Sequence, residues 1–274
     1  MRLLLTNDDG IEADGLQALR SELLSRCDSV VTVVPESNRS GYSRACTFAR
    51  PVVVTQIDGG RHPVFVCDGT PVDCVRAAIL GHGVTRDLDL VVSGINHGAN
   101  LGEDVHYSGT VGAGLEAGQL GVSALCVSQQ APTGTMAFND VAIGSVDASF
   151  DFRRSAPRAA EMAALLAEPA PVMPLVLNVN FPASQTGKPV VTTPGRRIYA
   201  HGGLRAEYDN ENRRAFYLFG RPGDDAEFEL DPTPGSDFDA LANDQISITP
   251  LTTPFTSAGL SAEDWAVLDR LVTR

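Results

Sequence analysis

The sequence predicts an α/β fold built on a mainly parallel sheet, and three observations indicate it. Short apolar or β-branched runs alternate with longer segments in which leucine and alanine recur at helical spacing. The first strand, helix and strand fit within residues 3–34, which is the size of one right-handed βαβ unit. The chain has 274 residues, 43% of them hydrophobic, and is therefore long enough to bury one large core.

The N-terminal half contains the clearest predicted elements. Leucines recur at helical spacing between residues 14 and 26, whereas the β-branched run that follows them stops at Pro35. Thr70 is a predicted helix N-cap, with Pro71 at the first helical position. In chain order, the predicted elements are a strand at 3–5, a helix at 14–26, a strand at 29–34, a hairpin within 46–67, a helix from 71 and a strand at 88–92.

Strands and helices alternate less regularly beyond residue 195, so we predict two segments within one domain. Residues 1–194 form the α/β core that carries the site, and residues 195–274 form a hairpin and a C-terminal arm. In chain order, the predicted elements after residue 92 are a helix after Ser108, a strand at 123–128, a helix at 153–168, a strand at 176–181, a hairpin at 208–219, a strand at 245–251 and a helix at 262–272.

Composition limits the classes of function. A formal net charge of -13 and a pI of about 4.7 argue against long nucleic acid as a partner, because binding its backbone needs a basic surface. The five cysteines are scattered and include no Cys-x-x-Cys pair, so we expect reduced core residues and neither a zinc site nor disulfides. Because the sequence has no membrane-spanning run and no signal segment, we expect a cytoplasmic protein with no membrane partner.

Paired carboxylates end the first predicted strand. Asp8 and Asp9 are adjacent, and two neighbouring anions raise each other's pKa unless a cation lies near. Ser40 follows the second strand and Asn96 follows a later one; the ends of adjacent parallel strands lie about 4.8 Å apart. These oxygen donors predict one divalent cation, Mg²⁺ or Mn²⁺, held by Asp8, Asp9, Ser40 and Asn96. The alternative is an ordinary Asp-Asp-Gly turn.

A second polar segment predicts an anion site. Ser108, Gly109 and Thr110 open a helix, where free backbone N–H groups and the positive end of the helix dipole favour a phosphate. The alternative for this segment is plain helix capping. We assign Asn38 and Gly41, in the polar loop after the second strand, to the same phosphate.

Together these sites predict metal-assisted hydrolysis of a phosphate monoester by water, with Asp8, Asp9 and Asn96 as catalytic residues. His97 and His106 flank the glycine-rich loop and are candidates for proton transfer, with His106 preferred. A nucleotide-binding regulatory module that binds phosphate without turnover is the alternative. A dinucleotide-dependent oxidoreductase is disfavoured, because no Gly-x-Gly-x-x-Gly motif follows the first strand.

The same motifs, taken in order, resemble those of the SurE family, survival protein E. The resemblance covers most of the chain, and its combined order is far more specific than any single motif. The matching segments are Leu-Leu-Thr-Asn-Asp-Asp-Gly-Ile at 4–11, Asn-Arg-Ser-Gly at 38–41, Gly-Thr-Pro at 69–71, Ser-Gly-Ile-Asn at 93–96, Tyr-Ser-Gly-Thr-Val at 107–111, Asn-Val-Asn at 178–180 and Ser-Ile-Thr-Pro-Leu at 247–251.

The resemblance implies a metal-dependent 5′/3′-nucleotidase acting on nucleoside monophosphates, with one divalent cation per subunit on the four residues already singled out. It implies a Rossmann-like three-layer α/β/α sandwich with a mixed sheet and a C-terminal hairpin and arm. These extensions exchange between subunits in the family, so a homodimer or homotetramer is expected. The chain departs from the family at Gly112 and Gly114, where alanines are usual.

Overall fold

The computed structural model describes most of the chain, and the fold is reported for the described residues alone. These are residues 1–81, 84–85, 87–134, 150–168, 171–199, 206–210, 213–216, 228–230, 233–251 and 262–273. The strands are β1 (Arg2–Thr6), β2 (Ser29–Pro35), β3 (Val54–Asp58), β4 (Val64–Cys67), β5 (Leu90–His97), β6 (Ala124–Gln129), β7 (Val176–Phe181), β8 (Pro189–Val191), β9 (Arg197–Tyr199), β10 (Ala206–Asn210), β11 (Arg213–Phe216), β12 (Phe228–Leu230) and β13 (Ile246–Leu251).

Within these residues, nine strands form one sheet in the order β3-β4-β2-β1-β5-β6-β7-β13-β8. The pairs from β4 to β7 are all parallel, whereas β3 is antiparallel to β4 and β13 is antiparallel to β7. Two smaller sheets pair β10 with β11 and β9 with β12. The predicted mainly parallel, mixed sheet is confirmed, and its central strands end along one edge.

Helices connect the parallel strands and cover the sheet. They are α1 (Asp14–Leu24), α2 (Pro71–Leu80), α3 (Gly109–Gln119), α4 (Ser155–Ala167), α5 (Asp237–Ala242) and α6 (Ala262–Val272), with a 3₁₀ turn at Gly102–His106. Thr70 caps α2 in a reciprocal capping box with Asp73, as the Thr-Pro start of the helix predicts. None of the helices in the described part of the chain has both the length and the apolar character needed to cross a membrane.

The first strand shows how the layers are arranged. Leu3, Leu4 and Leu5 are all fully buried. Leu3 and Leu5 pack in an apolar cluster with α1, α4 and α6, whereas Leu4 packs in a second cluster with α2 and α3. A strand buried on both faces needs an uninterrupted apolar run, which explains the three consecutive leucines. The predicted three-layer α/β/α sandwich is therefore confirmed.

Two elements of the segment after residue 195 belong to the central layers. β13 lies in the sheet between β7 and β8, and the apolar side chains of α6 pack in the same cluster as α4. The predicted hairpin at 208–219 is represented by β10 and β11, while residues 211–212 and 217–219 lie outside the described residues. The use of this segment in oligomerisation stays a prediction.

The strand predicted at 88–92 is longer than expected, and the loop prediction for residues 93–97 is wrong. β5 continues to His97, because its pairing with β6 resumes at Asn96 after a register shift that follows Ser93. Gly94, in this irregularity, has φ +133°, and a Cβ there would lie 2.2 Å from the carbonyl oxygen of Val127. Asn96 is therefore held by strand pairing, which fixes its backbone more firmly than a loop would.

The two glycines of α3 that depart from the family's alanines have a packing role. A Cβ at Gly112 would lie 2.6 Å from the carbonyl oxygen of Ser43, and one at Gly114 would lie 2.1 Å from Sγ of Cys126. Real Cβ atoms do not approach so closely, so an alanine would push α3 away from the loop and from β6. The glycines let the N-terminal end of α3 lie close against the sheet.

Candidate active site

The turn after β1 presents both aspartates at the edge of the sheet. Asn7 is buried and its side chain brackets this turn, donating from Nδ2 to the Gly10 carbonyl (2.8 Å) and accepting from the Gly10 N–H (3.1 Å). Gly10 has φ +96°, a conformation that favours glycine. Asp8 and Asp9 lie between these two residues and therefore have a fixed backbone. The prediction had not identified Asn7 as a structural part of the site.

Asp9 contacts the loop that follows β2. Its Oδ1 accepts a hydrogen bond from Ser40 Oγ (3.4 Å) and another from Asn38 Nδ2 (3.3 Å). Asn38 also accepts from the Ser40 N–H through Oδ1 (2.9 Å), and the Arg39 N–H donates to the Asp8 carbonyl (2.7 Å). The loop is thus attached to both aspartates, and the side chains of Ser40 and Asp9 lie next to each other at the edge of the sheet.

Asp8 lies deeper than Asp9 and touches the start of α3. It is 3% exposed, and Thr110 Oγ1 donates to its Oδ1. A Cβ at Gly109 would lie 2.8 Å from Asp8 Oδ2, so only glycine allows this approach. Burial, followed by repulsion from Asp9, raises the pKa of Asp8 to about 7, against the lowering effect of the Thr110 hydrogen bonds. A cation beside this pair would oppose the shift, because a nearby positive charge favours the ionised carboxylate.

Asn96 adds an amide at the end of β5. Its Nδ2 donates to the Gly98 carbonyl (2.9 Å), which assigns the other terminal atom of the side chain as the oxygen acceptor. The described residues contain no cluster of three or more His, Cys, Asp or Glu side chains suited to a metal. Any cation at this edge would therefore depend on hydroxyl and amide oxygens besides the two carboxylates, a donor set that fits Mg²⁺ or Mn²⁺ better than zinc.

The segment predicted to hold phosphate is engaged within the protein. Ser108 Oγ accepts from the Val111 N–H (3.1 Å) and caps α3, while the hydroxyl and backbone N–H of Thr110 both interact with Asp8. Gly41 has φ +77° and lies inside a turn after Asn38. Ser108 is therefore observed as a helix N-cap, which is the alternative that the sequence left open. The assignment of these residues to phosphate stays a prediction.

The histidine that reaches the aspartates is His97, although the sequence-based preference was His106. His97 Nδ1 lies 3.2 Å from Asp9 Oδ2. His106 is exposed, and its described contact is made by its backbone carbonyl, which accepts from Ser43 Oγ. The sequence signal was present, since His97 directly follows Asn96, but a strand continuing to His97 could not be read from a glycine-rich segment.

The known proteins that this chain resembles carry one family name. The sequence profile of the family described as Survival protein SurE matches residues 3–201. The chain is 39% identical over 283 residues to the 5′-nucleotidase SurE of Rubrobacter xylanophilus, which covers 100% of each chain. It is 37% identical over 255 residues to the 5′-nucleotidase SurE of Geobacter sulfurreducens, covering 92% of this chain and 87% of that one.

A solved structure matches as well. The SurE protein of Aquifex aeolicus superposes with a TM-score of 0.71 at 29% identity, covering 94% of this chain and 95% of that chain. The match to this structure therefore holds in sequence as well as in fold. The resemblance predicted from the ordered motifs is confirmed.

Proposed function

The chain belongs to the survival protein SurE family, and from that premise we propose that it is a nucleotidase. We propose that it hydrolyses nucleoside 5′- or 3′-monophosphates to nucleoside and phosphate, using one divalent cation per subunit. Similar proteins named 5′-nucleotidase support the reaction class. The observation that carries the proposal is the buried carboxylate of Asp8 beside Asp9, with Ser40 Oγ 3.4 Å from Asp9 Oδ1.

The proposed cation ligands are Asp8, Asp9, Ser40 and Asn96. When bound, Mg²⁺ or Mn²⁺ would neutralise phosphate charge and lower the pKa of a bound water. Asp8 and Asp9 would supply the two negatively charged ligands. Their carboxylates are held in place because Asp8 contacts the start of α3 and Asp9 contacts the loop after β2. Ser40 and Asn96 are neutral ligands, so the two carboxylates supply the negative charge that attracts the cation. With no further anionic ligand, the bound cation could still attract an anionic substrate.

The proposed phosphate contacts are Asn38, Gly41, Ser108, Gly109 and Thr110. The N-terminal end of α3 supports this assignment through the positive end of the helix dipole, which favours an anion. Its Thr110 and Val111 N–H groups are engaged by Asp8 and Ser108, so a phosphate would have to share or replace these contacts. Gly109 has no side chain, and the Asp8 carboxylate takes the space that a Cβ would fill, so the start of α3 lies directly beside the proposed cation ligands. Thr110 Oγ1 donates to Asp8 Oδ1, and the carboxylate can keep this hydrogen bond while it binds a cation, because its two oxygens accept several partners.

We further propose a cytoplasmic homodimer or homotetramer that uses the segment around β10 and β11. Support comes from topology: this antiparallel pair forms its own two-stranded sheet, separate from the nine-stranded one. An isolated hairpin is marginally stable in water, so packing against a second subunit would stabilise it. Size-exclusion chromatography with light scattering would test the state directly, and a monomer would contradict it.

Phosphate release from a panel of nucleoside 5′- and 3′-monophosphates tests the proposed reaction. The assay is run with Mn²⁺, with Mg²⁺ and with EDTA. Release that depends on either metal supports the nucleotidase and shows which ester position is preferred. Nucleotide binding without release under every metal condition would favour the alternative, a regulatory module that binds phosphate without turnover.

A further inference from the structure

His97 lies where it can control the orientation of Asp9. Its Nδ1 is 3.2 Å from Asp9 Oδ2, whereas Asp9 Oδ1 faces Ser40 Oγ and Asn38 Nδ2 at 3.4 and 3.3 Å. The two carboxylate oxygens thus have different partners. Oδ1 lies beside the hydroxyl of Ser40, a second proposed cation ligand, and Oδ2 lies beside the imidazole.

The imidazole itself is held by two phenylalanines. The ring centroid of His97 lies 4.9 Å from that of Phe150 and 5.1 Å from that of Phe152, with interplanar angles of 78° and 86°. The two phenyl rings are stacked, with centroids 5.8 Å apart. Edge-to-face contacts of this kind are favourable and restrict the ring's orientation. His97 is 22% exposed and Asp9 is 12% exposed, so the contact is largely shielded from water.

The backbone of His97 is fixed as well. It is the last residue of β5 and pairs with Gln129 of β6, and the next N–H, of Gly98, donates to the Gln129 carbonyl (2.9 Å). Strand pairing and ring packing together limit the positions of Nδ1. An ionised carboxylate only accepts hydrogen bonds, so with Asp9 ionised, as a cation ligand is, the contact with Oδ2 requires a proton on Nδ1.

We propose that His97 is a positioning residue for the cation site: its Nδ1–H holds Asp9 Oδ2, so that Oδ1 is directed with Ser40 towards the metal. The inference rests on the proposed function, because it assigns Asp9 as a ligand. Removing the hydrogen-bond partner of a metal ligand lowers metal affinity by about 10- to 100-fold. Because His97 acts through Asp9, we expect its substitution to change cation affinity more than it changes the stability of the fold.

Two substitutions separate the hydrogen bond from the aromatic packing. His97→Asn keeps an N–H donor at the position of Nδ1 but removes the ring. His97→Phe keeps an aromatic ring beside the phenylalanines but removes the donor. The measurement is calorimetric titration of the full-length, substrate-free protein with Mn²⁺ alone after removal of metal by EDTA. Thermal melting in EDTA checks that each variant is folded.

We expect His97→Phe to weaken Mn²⁺ binding by about 10- to 100-fold and His97→Asn to stay within about threefold of the unsubstituted protein. Equal Mn²⁺ affinity in His97→Phe and the unsubstituted protein would overturn the positioning role, as would a loss in His97→Asn that matches or exceeds the loss in His97→Phe. Failure of the unsubstituted protein to bind Mn²⁺ would instead overturn the cation site itself and the inference with it. The two failures are therefore distinguishable.

Discussion

Arg197 and Asp104 form a buried ion pair that joins the 3₁₀ turn after β5 to the start of the C-terminal segment. Nε of Arg197 lies 2.9 Å from each carboxylate oxygen of Asp104, Nη2 makes a further contact, and both side chains are 1% exposed. Asp104 lies in the 3₁₀ turn between Asn96 and Ser108, and Arg197 begins β9. The pair therefore links the turn that separates two proposed site residues to the strand leading into the hairpin segment.

Removing Arg197 should destabilise the protein strongly. Burial raises the pKa of the Asp104 carboxyl while the arginine opposes that rise, so Arg197→Met leaves a buried carboxylate without its cation. We expect the free energy of unfolding in urea to fall by about 3–5 kcal/mol. Arg196→Met is the matched control, because Arg196 is 73% exposed and lies 3.9 Å from Glu103; its change should stay within about 0.5 kcal/mol. Equal effects of the two substitutions would contradict the account.

The metal-free protein should become more stable as pH falls from 8 towards 4. The pKa of Asp8 is raised from 3.8 to about 7, so the folded protein binds a proton more tightly than the unfolded chain between these values. The folded state therefore carries a penalty that grows as pH rises through this window and is complete above pH 7. Added Mn²⁺ should reverse the trend, because a cation favours the ionised form.

Asp8→Asn isolates this effect from other titrating groups. At pH 8 in EDTA the variant should be more stable than the unsubstituted protein by up to about 4 kcal/mol, from 1.36 kcal/mol per pKa unit. The difference should shrink towards zero as pH approaches 4. Urea unfolding at several pH values measures it, and a difference that does not vary with pH would show that Asp8 is not the group responsible.

Gly114→Ala should destabilise the protein, although alanine favours a helix by up to about 1 kcal/mol over glycine. The added Cβ would meet Cys126 Sγ at 2.1 Å in a fully buried position, and overpacking of this kind costs about 1–3 kcal/mol. Removing the sulfur in Gly114→Ala, Cys126→Ala should recover most of the loss. A stabilising single substitution, measured by thermal unfolding, would show that α3 lies further from β6 than described.

Much of the fold could be predicted because local signals agreed with tertiary packing. The leucine run of β1, the Thr-Pro start of α2 and the β-branched run before Pro35 each have a single physical interpretation. The two strand ends with Asp8, Asp9 and Ser40 followed from that topology, since adjacent parallel strands end at one edge. Their meeting in the structure depends on sheet order, which the first βαβ unit already specified.

Other parts required information that lies outside any local window. The buried side chains of Asn178 and Asn180 both donate from Nδ2 to the backbone carbonyl of Asn100, and Asn180 Oδ1 accepts from the Asn100 N–H. These bonds span 78 to 80 residues and attach the loop after β5 to β7. In sequence, these asparagines are typical of a turn and of an alternating strand. The Arg197–Asp104 pair spans 93 residues, and β5 extends through an irregularity at Gly94 that resembles a loop. Long-range polar pairing leaves no periodic signal.

The central claim is that Asp9 is required for both cation binding and turnover. The most direct test measures Mn²⁺ affinity and phosphate release from nucleoside monophosphates in Asp9→Ala. Glu36→Ala is the control, because Glu36 is an exposed carboxylate in the loop after β2. We expect Asp9→Ala to lose at least about 100-fold in phosphate release while remaining folded, with Mn²⁺ binding weakened in parallel, and Glu36→Ala to match the unsubstituted protein. An Asp9→Ala protein that binds Mn²⁺ and releases phosphate normally would contradict the assigned site.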